Sequence, residues 1–275
     1  MKRAIISDVH ANLPALEAAL EDIATQGADE IIFLGDAVGY GPNWLEVTQM
    51  LAEHAPKAVM GNHDCAVINF PFGFNEVAAV VAEWTKQEIN QSEEGERTLQ
   101  YLNKLPDALE EGEILYVHAS PIDSMMVYID KDTDDDTLKK NFDDIERLAF
   151  VGHSHKPLFW EEEEGIPTHC LSPSTEDLKP EHKYMINVGS VGQPREGGDS
   201  RACYVILHDA NKVEYRKVEY NVQRHIDALN NSTINEWLQG QEKWVEKVHE
   251  SETKDPFISK LDFAGYLAHR IEMGK

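Results

Sequence analysis

Five short apolar runs in this 275-residue chain each stop at a residue able to bind a metal ion, and this punctuation restricts the fold more than any other feature. Residues 2–7 stop at Asp8-Val9-His10, residues 30–34 at Gly35-Asp36, and residues 57–60 at Gly61-Asn62-His63-Asp64. Further on, Ile114–Val117 stops at His118, and Leu148–Val151 stops at Gly152-His153-Ser154-His155. Runs of this length and composition are β-strands. Between the first three lie helical patterns. Leu13, Leu16, Leu20 and Ile23 fall on one face, with Asn12 as N-cap, Pro14 in the first turn and Gly27 at the end. Residues 42–54 form a second helical stretch. Strand–loop–helix repetition predicts a largely parallel sheet with helices on its faces. In such a sheet ligands gather outside the carboxyl ends of the strands, so residues far apart in sequence share one rim.

The remainder of the chain adds layers. Residues 75–105 carry a helical pattern and read as an insertion over the sheet. Beyond residue 157 the pattern turns β-rich, at 158–161, 184–188, 202–207 and 213–218, separated by Gly and Pro clusters, which predicts a second sheet packed on the first. From Val222 the chain is helical and polar, with Trp237 and Trp244 interspersed, either capping the site, making a dimer contact or simply packing. The expected organisation is one large unit over 1–220 and a C-terminal helical extension over 221–275 packed on it. The acidic runs 132–136 and 161–164 read as solvated loop or edge features.

Composition narrows the function. Apolar residues make up 41% of the chain, enough for a true core, and the formal net charge is -25. A surface so acidic repels nucleic-acid backbones and anionic lipid, which argues against coating nucleic acid or a membrane. A small anion could still enter where bound cations reverse the local field. Three cysteines without Cys-x-x-Cys spacing support neither a disulfide framework nor a thiolate zinc site, and Cys65 reads as buried. The N-terminal apolar run is too short for a signal peptide, and no stretch approaches the roughly 18 apolar residues of a membrane span, so a cytoplasmic location is expected.

The strand-end residues combine carboxylates, imidazoles and one amide, a donor set suited to a borderline divalent ion such as Mn, Fe, Zn, Co or Ni. Two such ions need a bridging carboxylate, for which Asp36 is placed. A metal pair about 3.5–4 Å apart can generate hydroxide at neutral pH and stabilise both oxygens of a phosphoryl displacement. Each motif alone is weak, but five of the 12 histidines fall in this ordered set.

The ordered set resembles the calcineurin-like metallophosphoesterase superfamily, whose motifs run Asp-x-His, Gly-Asp, Gly-Asn-His-(Asp/Glu), His and Gly-His-x-His. All five are complete between residues 4 and 207. The resemblance implies a four-layer αββα sandwich of two mixed sheets. It also implies that Asp8, His10 and His155 hold one divalent ion, that Asn62, His118 and His153 hold the other, and that Asp36 bridges them. The metal-bound hydroxide would be the nucleophile, and His63 would act as general acid or as donor to the phosphoryl group. Where Ser/Thr protein phosphatases carry Gly-Asp-x-Val-Asp-Arg-Gly, this chain reads Gly35-Asp36-Ala37-Val38-Gly39-Tyr40-Gly41. Gly39 therefore leaves His63 without that acidic partner, a backbone carbonyl being the alternative, and Tyr40 stands in place of the phosphate-clamping Arg. The closer resemblance is to small bacterial members, including phosphodiesterases and dinucleoside tetraphosphatases, through residues 8–12 (DVHAN), 39–42 (GYGP) and 189–195 (GSVGQPR). Arg195 reads as a phosphate contact or a surface ion-pairing residue, and Tyr40 as a substrate contact or loop packing. The expected activity is hydrolysis of phosphodiester or nucleotide phosphoanhydride bonds. A phosphomonoesterase and a non-catalytic scaffold on the same fold are the alternatives.

Overall fold

A computed structural model describes residues 1–71, 73–170, 174–239 and 263–273; Trp244 lies outside the described residues. The first sheet contains β1 (Lys2–Ile6), β2 (Glu30–Phe33) and β3 (Lys57–Ala58), all parallel. It continues through β11 (Ala202–His208), β12 (Lys212–Val218) and β9 (Thr175–Asp177), all antiparallel, in the order β3-β2-β1-β11-β12-β9. The second has the order β4-β5-β6-β10-β7-β8, from β4 (Ala108–Glu111), β5 (Ile114–Val117), β6 (Leu148–Val151), β7 (Leu158–Glu163), β8 (Ile166–Cys170) and β10 (Lys183–Asn187). Both sheets are mixed, as expected.

The period-2 alternation of the strands builds the layers. Ile5 and Ile32 of the first sheet meet Tyr116, Phe150, Tyr184 and Ile186 of the second in the central core. Their neighbours Ala4, Ile6 and Phe33 face outward onto α1 (Leu13–Gln26) and α2 (Trp44–His54). On the far side Ala149, Val151 and Met185 pack on Leu138 and Phe142 of α6 (Asp135–Asp143). The result is the four-layer sandwich. α1 begins as read: Asn12 Oδ1 accepts from the Ala15 N–H at 3.2 Å, and Gly27 closes the helix at φ 66°.

The insertion forms α4 (Glu76–Gln91) and α5 (Gly95–Leu102), which pack with α2 and the short α3 (Asn62–Ile68). The C-terminal helices α7 (Val222–Asn230), α8 (Ile234–Gln239) and α9 (Phe263–Glu272) join α4 in a separate apolar cluster, where Ile226, Leu229, Leu238 and Leu267 meet Val77, Val81 and Trp84. Trp237 donates to Gln87 Oε1 at 2.7 Å, a packing contact on α4. No helix among the described residues is long and apolar enough to cross a membrane.

Four expectations need correction. The strands beyond residue 157 do not form the second sheet by themselves, because β11 and β12 pair onto β1 in the first sheet and β5 and β6 belong to the second. The acidic run 132–136 is not all loop, because Asp134 caps α6 by accepting from the Thr137 N–H, and Asp135 and Asp136 favour its positive N-terminal end. Glu161–Glu163 lie within β7, which is paired on both sides, and Glu161 accepts from Tyr184 and contacts His182 Nδ1 at 2.6 Å. Cys65 is only half-buried.

Candidate metal centre

Backbone zippers bring the strand-end loops together. The Asp8 N–H donates to the Gly35 carbonyl at 3.0 Å, the His10 N–H to Asp36 at 2.9 Å, and the Gly192 N–H to Asp8 at 2.9 Å. Asp8, His10, Asp36, His153 and His155 all have φ between 49° and 63°, a region side chains other than Gly adopt at a cost. The left-handed turns swing these side chains inward off the strand ends. Gly152 is required beside them, since a Cβ there would lie 2.1 Å from Ser7 Oγ and 2.5 Å from Asp8 Oδ2.

All seven expected ligands converge, buried to 7% exposure or less. Asp36 Oδ1 accepts the His63 backbone N–H at 2.8 Å, which leaves Oδ2 facing His118 Nε2 at 3.4 Å and His10 Nε2 at 3.6 Å. Asp8 Oδ2 accepts the His153 N–H at 3.1 Å, while its Oδ1 is buried without a hydrogen-bond partner and lies 3.2 Å from His155 Nε2. One ligand atom from each of Asp8, His10, Asp36 and His155 fits within 4.8 Å of the others. Beside them, His118 Nε2 lies 2.9 Å from Asn62 Oδ1 and 3.2 Å from His153 Nδ1.

Tautomers follow from the opposite ring nitrogens. His10, His118 and His155 place Nδ1 against the carbonyls of Val38 (3.1 Å), Leu34 (2.8 Å) and Gln193 (2.6 Å). A carbonyl only accepts, so each Nδ1 carries a proton, and neutral His10 and His155 each present a bare Nε2. The Nε2 atoms of His10 and His155 then face each other at 3.2 Å, lone pair to lone pair, beside a carboxylate. Buried acceptors that face one another are costly unless a cation lies between them. The donor set therefore fits a metal. Without one, burial pushes His10 and His155 well below the ordinary imidazole range, and His153 down to about 3. His118 is also disfavoured by burial, but the charge of Asp36 outweighs it and lifts the ring to about 9.

Among the described residues His63 has no orienting partner, neither an acid nor the carbonyl expected as alternative. Its Nδ1 is buried without a hydrogen bond among the described residues, and burial pushes the ring down to about 4. Packing holds it instead, with ring centroids 4.8 Å from Tyr40, 4.9 Å from His10 and 4.7 Å from Phe74. Gly39, at φ 86°, passes so close that a Cβ would lie 2.4 Å from His63 Nδ1. Glycine at this position and the packed imidazole thus belong together.

Asp36, Asn62, His63, His153 and His155 border a cavity of about 210 Å³, together with Tyr40 and Arg195. Tyr40 is both packing and lining, with its ring edge-on to His10 at 4.8 Å. Arg195 makes no ion pair among the described residues and donates to Gln193 Oε1 at 2.9 Å. Sequence reasoning passed over several other groups. Asp64 accepts from the backbone N–H groups of Asp36, Ala37, Val38 and Gly61 at 2.8–3.2 Å and so braces the Asp36 loop. Its position inside the third motif was the available signal. Burial, followed by the charge of Asp36, raises its carboxyl to about 7. Tyr128 stacks on His153 with centroids 3.9 Å apart, and Phe74, Asn75, Met126 and Arg270 complete the wall; no local pattern marks these residues.

Comparison with known proteins gives the family and the fold neighbours of the chain. Residues 1–212 match the calcineurin-like phosphoesterase superfamily domain. The chain is 36% identical over 243 residues to the uncharacterized protein MJ0912 of Methanocaldococcus jannaschii, covering 86% of this chain and 94% of that one. It is 40% identical over 85 residues to the phosphodiesterase YfcE of Escherichia coli, a match of 26% of this chain and 46% of that protein. The crystal structure of a metallophosphoesterase from Sphaerobacter thermophilus superposes with a TM-score of 0.75 at 34% identity, covering all of both chains.

Proposed function

Because this chain belongs to the calcineurin-like phosphoesterase superfamily, we propose that it is a metal-dependent hydrolase of phosphodiester or nucleotide phosphoanhydride bonds. The observation that carries the reading is the pair of bare Nε2 atoms of His10 and His155, 3.2 Å apart beside the unpartnered Asp8 Oδ1. In this reading Asp8, His10 and His155 hold one divalent ion and Asn62, His118 and His153 a second, with Asp36 serving both. When bound, such ions supply charge neutralisation for the phosphoryl group and hydroxide at neutral pH. The donor set suits Mn, Fe, Zn, Co or Ni.

The chain's own groups divide the remaining work. Asp64 fixes the Asp36 loop through four backbone N–H bonds, and the His63 N–H fixes which Asp36 oxygen is left for the ions. The His63 imidazole borders the cavity and serves as general acid to the leaving oxygen or as donor to the phosphoryl group. Arg195 offers its guanidinium to a phosphoryl oxygen, and Tyr40 shapes the wall beside His63. A cavity of about 210 Å³ takes in a phosphoryl group and part of its substituent, being smaller than the roughly 300–1,000 Å³ that buries a whole drug-sized ligand. The catalytic unit is residues 1–220, carrying the insertion 75–105, and residues 221–275 extend it.

A phosphomonoesterase would draw on the same Arg195 guanidinium, and relative rates on 4-nitrophenyl phosphate and bis(4-nitrophenyl) phosphate separate the two readings. In the Mn-loaded protein, Asp36→Asn and His118→Ala are expected to abolish metal-dependent hydrolysis of the diester. Unchanged turnover by folded, purified variants would remove the assignment.

A further inference from the structure

Resting on the metal-dependent reading, we propose that Tyr128 is the positioning residue of His153, its ring face setting the imidazole toward the ion where the other ligand histidines use a carbonyl. A metal-bound histidine ordinarily donates its second ring nitrogen to an oxygen, and that bond fixes how the ring is turned. His10, His118 and His155 follow the rule, with Nδ1 on the Val38, Leu34 and Gln193 carbonyls. His153 departs from it. Its Nδ1 faces inward, 3.2 Å from His118 Nε2, and is the atom placed for an ion. Its Nε2, on the other side of the ring, is buried without a hydrogen bond among the described residues. The backbone is held, because the His153 N–H donates to Asp8 Oδ2 at 3.1 Å, yet the ring can still turn about its own side-chain bonds.

Tyr128 meets that ring. The two rings stack with centroids 3.9 Å and planes 29° apart, while His118 lies edge-on to the same imidazole at 5.0 Å. Tyr128 is therefore the contact on the face of His153, and a flat face against a flat face restricts how the imidazole can rotate. The local chain explains why Tyr128 is there. The segment leaves β5 at His118 and turns back at once: the Ala119 N–H donates to the Ser124 carbonyl at 3.0 Å, and Asp123 Oδ1 accepts the Met125 and Met126 N–H groups at 3.0 Å each. Beyond the turn, Val127 and Ile129 pack into the cluster of Val117, Leu138 and Val151. Both neighbours of Tyr128 are thus anchored inward, against a cluster that includes the last residue of β6 before Gly152-His153. Tyr128, the exposed residue between them, comes to lie over His153 at the cavity. The loop that leaves one ligand strand covers the histidine of its parallel neighbour.

The test uses the full-length protein after chelation, titrated with Mn while free Mn is followed by electron paramagnetic resonance. The wild type is expected to bind two ions. Tyr128→Ala should weaken one of them by about 10- to 100-fold, the range for losing an outer partner of a metal-bound histidine, and leave the other as it is. Tyr128→Phe, which keeps the ring face and drops the hydroxyl, should bind both as the wild type does. Tyr128→Leu fills space without a flat face and should resemble the Ala variant; it carries the test if the Ala variant lowers the Tm. In a His118→Ala background, expected to lack the same ion, Tyr128→Ala should leave the remaining one unchanged. Wild-type affinity for both ions in the Ala and Leu variants overturns the proposal. Equal weakening of the two ions, or a Phe variant as weak as the Ala variant, overturns it as well. A wild type that takes up fewer than two Mn ions overturns the metal reading and the proposal with it, whereas two bound ions indifferent to Tyr128 overturn the role of Tyr128 alone.

Discussion

Replacing Gly39 by Ala probes the packing that stands in for an acidic partner of His63. A Cβ at this position would lie 2.4 Å from His63 Nδ1, where ordinary contact begins at 3.4 Å, so the imidazole must retreat by 1 Å, the difference between the two. The backbone at φ 86° adds strain of about 1–3 kcal/mol for any side chain other than glycine. A 1 Å displacement of a catalytic group costs about 100-fold in rate. The expected outcome is therefore a kcat for bis(4-nitrophenyl) phosphate near that of His63→Ala, with a Tm lowered by a few degrees. Bound metal should be unchanged, because the seven proposed ligand side chains do not include His63, and its backbone N–H to Asp36 Oδ1 survives. Turnover, elemental analysis and thermal unfolding on one preparation decide it. Wild-type turnover with full metal content would refute the view that close approach of Gly39 sets the His63 imidazole for a part in catalysis.

Other parts of the account have their own tests. Asp64→Asn turns Oδ2, which accepts from Asp36 and Gly61, into a donor facing two N–H groups; with each buried unpaired donor costing about 1–3 kcal/mol, urea unfolding should show a loss of about 2–6 kcal/mol. Burial pushes His225 down to about 3, so between pH 6.5 and about 3 the unfolded chain takes a proton that the native chain refuses, and stability falls as pH falls. From pH 7.5 to pH 5 that share is about 2 kcal/mol, and urea titrations of His225→Gln at both pH values should lack it. Truncation after Tyr220 strips the cover from Val77, Val81 and Trp84 on α4, and light scattering should report association where the full chain shows less.

Much of the candidate centre was legible because its proposed ligands sit where strands end. An apolar run that stops at Gly-Asp or Gly-His is visible locally; the parallel pairings β1-β2-β3 in one sheet and β5-β6 in the other carry the stops to one side of each sheet, and the packing of the two sheets brings Asp8 and His155 together across 147 residues. Features without a local period were not legible. β8 and β9 are short, polar or Pro-bearing strands, recognisable only through the neighbours they pair with. The acidic residues before α6 look like solvated loop until a capping bond defines them. Asp64 has no role of its own legible within the third motif, since its four partners are backbone N–H groups from two loops. Gly39 signalled the loss of an acidic partner, and only the three-dimensional approach of its backbone shows that ring packing has replaced it. Arg270 lies 75 residues from Arg195 on a helix with no motif, and tertiary docking alone brings it to the cavity.

Metal stoichiometry tests the central claim most directly. After exhaustive chelation and Mn reconstitution, elemental analysis of the desalted protein should find two ions per chain. His118→Ala should remove one and leave the Asp8–His10–His155 side occupied, with hydrolysis of bis(4-nitrophenyl) phosphate falling alongside. Two folded, reconstituted proteins that hold no transition metal, or a wild type as active without metal as with it, would contradict the account.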